Sequence, residues 1–385
     1  MANPVVPPAL TLQGADVLWP QGLFPGDVHL AEGMITDMPG RMIDLSGFLI
    51  LPGIIDLHGD GFERHLAPRR GAMTDTATGL RALEAELAAN GITTAWLAQF
   101  WSWEGGMRSP EFARHIVSAL DAFDNMLDLR MQLRLEVGCF EGFPKAETLV
   151  AEGNIGYVVF NDHLPHAHLS RGKTPPRLEG QALKSGRSPR AHWDVMRRLH
   201  DAWPEAAAAV AEMAARLQAR NVVLGSHDDA DTAARAHWRE AGVRVAEFPM
   251  DSAAIQAAAK AGDTVVMGAP NILRGGSHGK GIAAAPEVAA GRVTALASDY
   301  HYPAPLQAAL GIAGVDRTML VQAWYLVSGG PAKVMGLNGD RGGIAPGMRA
   351  DLVILEAATN RVAGTLAGGC FTYLTDPLAS RMIAA

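Results

Sequence analysis

Leu51-Pro52-Gly53-Ile54-Ile55-Asp56-Leu57-His58-Gly59-Asp60 decides how this chain folds. A Pro-Gly turn delivers the apolar run Ile54 to Leu57, which suits a short strand buried on both faces. The run ends in His58-x-Asp60, two residue types able to ligate a metal. Residues two apart on a strand point the same way, so both can converge at the strand's end. The pair points to a metal site at the carboxyl end of the first strand of a barrel. A strand end carrying an unrelated His and Asp is the plainer alternative, and partners elsewhere in the chain must decide.

Working outward, residues 9 to 50 read as short β segments, including Ala9–Leu12, Ala15–Trp19 and Phe48–Ile50, punctuated by glycines. The run Gly342 to Leu355 has the same character, so both termini are expected to pair into one small β-sandwich. Between them, apolar strands alternate with Ala- and Leu-rich helices. Helices are expected over Thr76–Asn90, Ser109–Leu127, Pro204–Arg220, Asp231–Ala241 and Ser252–Ala261. Strands are expected at Ile92–Leu97, Leu133–Val137, Ile155–Phe160, Val222–Leu224, Val243–Ala246, Thr264–Met267 and Val293–Ala297. A polar loop from His163 to about Arg190 is long enough for a lid. Repeated β-then-α units predict an α/β protein, a distorted (β/α)8 TIM barrel over 53–340 with a composite sandwich from 1–52 and 341–385. An open doubly wound sheet fits less well, because no Gly-x-Gly-x-x-Gly turn follows any strand.

The chain has 385 residues, 48% of them hydrophobic, and a formal charge of −7. That size and composition suit one large globular domain with a smaller companion. The negative balance argues against nucleic acid as a partner but leaves room for a local basic pocket. Only Cys139 and Cys370 occur, so no disulfide framework or zinc ribbon is expected. No signal peptide and no membrane span are read in the sequence, and a reducing cytoplasm is the expected home.

In a barrel the active site lies at the carboxyl ends of the strands. Those ends carry His58 and Asp60, Glu136, Asp162-His163, His227 with Asp228 and Asp229, and Asp299. Nitrogen and oxygen donors without thiolates suit one or two divalent ions, zinc first, with manganese or iron as the other fits. Each residue has a plainer role. Glu136 can pair with Arg134 or Arg130, and Glu141 competes with it as a carboxylate. His163 can be a surface histidine, like His166 and His168. Asp299 ends an apolar strand, where an unpaired carboxylate is costly to bury, and a metal offsets that cost. The chemistry implied is hydrolysis by a metal-activated water, with Asp299 as general base. A second constellation runs from Gly268 to Gly281. Its glycines free backbone N–H groups, and Asn271, Arg274, Gly275, Gly276, Ser277, His278 and Lys280 read as a loop for phosphate or another oxyanion. A flexible βα loop is the alternative.

Together these motifs resemble the amidohydrolase superfamily. They resemble most its phosphonate-utilisation branch, the α-D-ribose 1-methylphosphonate 5-triphosphate diphosphatases. The likeness rests on the opening stretch, Ser226-His227-Asp228-Asp229, Glu247-Phe248-Pro249, Met267 to His278, and Ser298-Asp299-Tyr300. It implies a binuclear site held by His58, Asp60, Glu136, His163, His227 and Asp299, with Glu136 as the bridge. The implied reaction is hydrolysis of a ribose 5-triphosphate to the 5-phosphate and diphosphate. The implied partner is an anionic small molecule, and a homo-oligomer is compatible with the family. The chain departs from the branch at the mouth. It has His58-Gly59-Asp60-Gly61 for His-Thr-Asp-Asn, and Leu164-Pro165-His166 where a Pro-Gly-Gln-Arg run is usual. It has Gly279-Lys280-Gly281 for Ser-Gly-Asn, and a Tyr300-His301-Tyr302-Pro303 segment one residue longer. Trp96, Trp101 and Trp103 are expected to add aromatic bulk near the second strand's end. Hydrolysis of a C–N bond and a non-catalytic metal-binding barrel are the competing readings.

Overall fold

The computed structural model describes residues 9–69, 72–276 and 281–385. Five strands come first: β1 (Leu10–Trp19), β2 (Gly22–Ala31), β3 (Met34–Thr36), β4 (Arg41–Asp44) and β5 (Phe48–Pro52). The barrel strands follow as β6 (Ile54–Gly59), β7 (Ile92–Trp101), β8 (Asp128–Glu136), β9 (Tyr157–Asn161), β10 (Val223–His227), β11 (Val245–Glu247), β12 (Thr264–Gly268) and β13 (Ala295–Ala297). The last three are β14 (Leu352–Glu356), β15 (Val362–Ala367) and β16 (Cys370–Leu374).

The strands β6 to β13 stand side by side in chain order, all parallel, as the alternation of strands and helices predicts. Alternate residues divide between two cores, because successive side chains of a strand point to opposite faces. Val158, Phe160, Leu224, Ala246, Val265, Met267 and Leu296 pack outward against helix residues such as Leu83, Leu87, Val210 and Met213. Tyr157, Val159, Val245, Val266, Ala295 and Ala297 fill the interior. The ring closes at a seam between its first and last strands. Gly59 and Asp299 form a parallel bridge, Asp299 N–H donates to His58 O at 2.8 Å, and Asp60 N–H donates to Asp299 O at 2.9 Å. The Asp56 carboxylate, buried within the apolar run, accepts from Ser298 N–H at 2.8 Å and Ser298 Oγ at 2.6 Å.

Both termini join in one eight-stranded sheet. There β5 is antiparallel to β14, and Phe48, Ile50, Leu352 and Ile354 face the sheet's own core. Leu49, Leu51, Val353 and Leu355 face the barrel's outer core. That split explains why both strands read as unbroken apolar runs. β1 is one strand with a bulge between Leu12 and Ala15, where two short segments are expected from the sequence. Gly14 sits in the bulge at φ +80°, and a Cβ there would fall 2.8 Å from Ser46 Oγ.

Three local expectations change. The helix from Pro110 stops at Asp121. Beyond it, the backbone N–H groups of Met126 and Leu127 donate to the buried Glu84 carboxylate, which turns the chain into β8. The loop from His163 to Arg190 holds helices at His166–Leu169 and Leu178–Lys184, and a third, Pro189–Asp201, begins at its end. These are anchored by a small core of Trp103, Leu164, Leu169 and Met196. The glycine-rich segment after β12 begins with a helix, Ala269–Arg274. Among the described residues, no helix is long and apolar enough to cross a membrane.

Candidate active site

The site is built from β8 upward. Its sequence Gln132-Leu133-Arg134-Leu135-Glu136 alternates, and the leucines join the outer core. Gln132, Arg134 and Glu136 share the opposite, inner face and are buried. This column of polar side chains inside the barrel leads to its carboxyl-end mouth.

The lowest contact of the site is Glu247, the last residue of β11. It is fully buried and accepts three hydrogen bonds: from His58 Nδ1 at 2.7 Å, Gln132 Nε2 at 2.7 Å and Tyr157 OH at 2.5 Å. Burial opposes its charge, but His58 and these donors hold its pKa below the ordinary carboxylate range. Because Nδ1 is bound to a carboxylate, it carries the proton, and His58 Nε2 keeps its lone pair. That Nε2 is buried and has no partner among the described residues.

Asp60 and Asp299 face the same point. Ligand atoms of His58, Asp60 and Asp299 all lie within 4.8 Å of one another. Burial, and next the nearby Asp60 carboxylate, push Asp299 up to about 6. His58, His227 and Glu247 form a second cluster of the same span. Glu247 is already bonded to three donors, so in that group it orients His58 rather than ligating. A bound divalent ion would satisfy the unpartnered Nε2 and offset the repulsion between the two carboxylates, so the His58, Asp60 and Asp299 donors fit a metal.

His227 stands beside this cluster, its ring centroid 5.4 Å from that of His58. Its Nε2 accepts from Arg134 Nη2 at 3.0 Å, and its Nδ1 is 3.0 Å from Asp228 Oδ2. Burial and the Arg134 charge lower its pKa to about 4, so the ring is neutral. Glu136 is paired with His163: one oxygen accepts from the backbone N–H of His163 at 3.1 Å, and the other contacts its Nδ1. Burial opposes protonation of His163, yet the Glu136 carboxylate raises its pKa. The His163 ring centroid lies 6.3 Å from that of His227. Glu141, the competing carboxylate, is exposed and lines a separate cleft with Lys145 and Arg187.

Left-handed backbone recurs at three of the strand ends that carry the site. Asp228, Phe248 and Asp299 follow the ends of β10, β11 and β13, and all have positive φ, at 61°, 50° and 55°. A bulky residue such as Phe248 rarely adopts that conformation. Its ring packs edge-on against both His58 and His227, at centroid distances of 4.9 and 5.1 Å.

Of the residues read as an anion loop, Asn271 uses its side chain within the loop. It donates to Ile282 O at 2.8 Å and accepts from Ala284 N–H at 2.9 Å. Arg274 is exposed and donates to Tyr300 OH at 2.7 Å, while Gly275 ends the helix at φ +69° and Gly276 follows it. Ser277, His278 and Lys280 lie outside the described residues. The tryptophans do not crowd the mouth. Trp96 fills the barrel interior, Trp101 the outer core, and Trp103 the small core under the helices after His163. The aromatic near the site from β7 is Phe100, with the Arg134 and Arg108 guanidinium carbons 4.0 and 4.1 Å from its ring centroid.

Gly59 and the Tyr300-to-Pro303 segment are coupled in space. A Cβ on Gly59 would fall 2.6 Å from the Tyr302 ring and 2.8 Å from Asp56 Oδ2. The Tyr300-to-Pro303 segment seats Tyr302, fully buried, in the space a side chain at 59 would need. Gly61 is confined in the same way, by Arg64 and the Tyr300 carbonyl.

Glu247 and Arg134 are the site residues the sequence reading leaves unassigned. The strand expected at 243–246 stops one residue short of Glu247, whose position at a strand's carboxyl end is the signal. Arg134 enters only as a partner for Glu136, although the polar alternation at 132, 134 and 136 marks all three as interior.

No family model matches the chain. It is 31% identical over 347 residues to the α-D-ribose 1-methylphosphonate 5-triphosphate diphosphatase of Escherichia coli K12, covering 88% of this chain and 90% of that protein. Among solved structures, N-acetylglucosamine-6-phosphate deacetylase from Pasteurella multocida is similar at 13% identity and TM-score 0.61, covering 94% of this chain and 99% of that one. An adenosine deaminase from Xanthomonas campestris with bound zinc is similar at 14% identity and TM-score 0.55, covering 98% and 97%. These two likenesses concern the fold.

Proposed function

The chain belongs to the α-D-ribose 1-methylphosphonate 5-triphosphate diphosphatase family of the amidohydrolase superfamily, and from that membership we propose that it hydrolyses the triphosphate of an α-D-ribose 1-phosphonate 5-triphosphate. Water is added across the anhydride bond between the first and second phosphorus, leaving the 5-phosphate and diphosphate. The observation that carries this reading is the convergence of His58, Asp60 and Asp299 at the seam where the ring closes. These residues would hold a divalent ion, with Glu136, His163 and His227 as the further ligands the family implies. Zinc suits the donors best, with manganese or iron next. When bound, the ion supplies a water of lowered pKa and polarises a phosphoryl oxygen.

The chain's own groups do the rest. Asp299, at the strand end beside the place the ion would take, accepts the proton from the attacking water and returns it to the departing diphosphate. Glu247 and Phe248 fix the His58 ring, from its Nδ1 side and its edge. Arg134 and Arg108, flanking Phe100, offset the negative charge of a triphosphate in a chain that is acidic as a whole.

The test is to incubate the zinc- or manganese-loaded protein with ribose and nucleoside triphosphates and measure diphosphate. Ammonia or amine release from a panel of amides and amines is measured in parallel. Diphosphate from a ribose triphosphate is expected. Metal-dependent cleavage of C–N bonds without diphosphate release would overturn the proposal in favour of an amidohydrolase acting on carbon–nitrogen bonds.

A further inference from the structure

The family reading implies ligands for two metal ions: His58, Asp60 and Asp299 on one side of a bridging Glu136, and His163 and His227 on the other. The described geometry provides for them unequally. His58 Nε2, Asp60 and Asp299 converge with a buried nitrogen left free. On the other side, His227 Nε2, the Glu136 carboxylate and His163 Nδ1 are already engaged. His227 Nε2 accepts from Arg134 Nη2 at 3.0 Å, and Glu136 and His163 are bonded to each other. Arg134 Nη1 lies 3.6 Å from Asp60 Oδ2, so the guanidinium spans from the first ligand cluster to the ring of His227. Its Nε points to Asn161 Oδ1 at 3.4 Å, and one face lies against Phe100. The side chain is only 4% exposed and is set on the inner face of β8 by strand alternation, one step below Glu136.

We propose that the Arg134 guanidinium holds the place of the second ion, so that this enzyme works with one divalent metal, at His58, Asp60 and Asp299. A fixed cation between Asp60 and His227 repels a second divalent ion and occupies the lone pair that would bind it. It also keeps a positive charge beside the reacting centre, the electrostatic service a second metal would give. Arg134 is therefore a positioning residue for the metal count. The inference rests on the site's being a divalent-metal centre, but it does not depend on which bond the enzyme cleaves.

The experiment measures metal stoichiometry without substrate. The wild-type chain and Arg134→Met are loaded with excess zinc, freed of unbound ion by gel filtration and assayed by mass spectrometry of the metal. The manganese forms are compared by electron paramagnetic resonance. Wild type is expected to hold one ion per chain and to give the spectrum of an isolated manganese ion. Arg134→Met is expected to hold two and to show an exchange-coupled pair. Two ions in the wild type, or one in a folded Arg134→Met, overturns the proposal. Arg134→Gln replaces the Met variant if that one fails to fold, and the wild-type count stands on its own in either case. Loss of the diphosphatase reading alone leaves this stoichiometry unchanged, so the two failures are distinguishable.

Discussion

Replacing Glu247 by Gln isolates what a buried carboxylate does for a neighbouring ligand. In the wild type, Glu247 accepts from His58 Nδ1 at 2.7 Å, which places the ring proton there and leaves Nε2 as a lone pair facing the site. Gln keeps the shape and keeps one oxygen, enough to accept from Gln132 and Tyr157. Its amide nitrogen, however, meets Nδ1 as a donor. The imidazole answers by moving its proton to Nε2, the atom that should bind the metal. Loss of such an orienting partner weakens metal affinity about 10- to 100-fold, or about 1.4 to 2.8 kcal/mol. The fold should lose about 1–3 kcal/mol in the metal-free state, because the proton moved to His58 Nε2 finds no acceptor among the described residues. Zinc affinity by competition with a chromogenic chelator and unfolding by urea read the two effects separately. Wild-type affinity in Glu247→Gln would refute the tautomer argument. Complete loss of the ion would refute it from the other side, by making Glu247 a ligand.

Three further outcomes are expected. Asp299→Asn should lower turnover by about 100- to 10,000-fold, the usual contribution of a general base. Metal content by mass spectrometry should stay near wild type, because the amide oxygen can still ligate; undiminished turnover would remove Asp299 from the chemistry. Gly59→Ala should destabilise the chain by about 1–3 kcal/mol through contact with Tyr302. In urea unfolding the added Tyr302→Ala should recover part of that loss, and strict additivity would deny the contact. The third is a pH effect. Burial opposes the charge of Asp128, but Arg130 and Arg341 hold its pKa below the unfolded value. Its stabilisation is therefore present above about pH 4 and lost as pH falls through the lower folded pKa. Asp128→Asn should cost about 1–3 kcal/mol at pH 7 and flatten the acid limb, as followed by thermal unfolding at pH 7 and 3.5.

The barrel was legible because its strands are apolar runs that stop at polar residues, and chain order alone sets their neighbours. His58, Asp60 and Asp299 stood out by the same mark, and the structure brings them together. What stayed hidden follows from length and parity. β11 has three residues, too few for a periodic pattern, so the strand read at 243–246 stops short of Glu247 and gives it no role. β8 inverts the usual rule, since its polar residues face inward and its leucines outward. Only the closed ring reveals that the inside is the functional side. The segment after His163 has helical pieces of 4 and 7 residues before Pro189. Such pieces are set by packing against Trp103 and Met196 rather than by their own propensity.

The seam at Gly59 and Asp299 joins positions about as far apart along the chain as the barrel allows, and the candidate metal ligands sit directly on it. Making the site and closing the ring are thus one event, and a late one during synthesis, since the chain must be built past Asp299 before either can occur. Contacts of such sequence separation form slowly. An ion that binds only the closed ring draws the population toward closure by mass action. Metal supply would then act on how much of the chain matures, as well as on how fast the mature enzyme turns over.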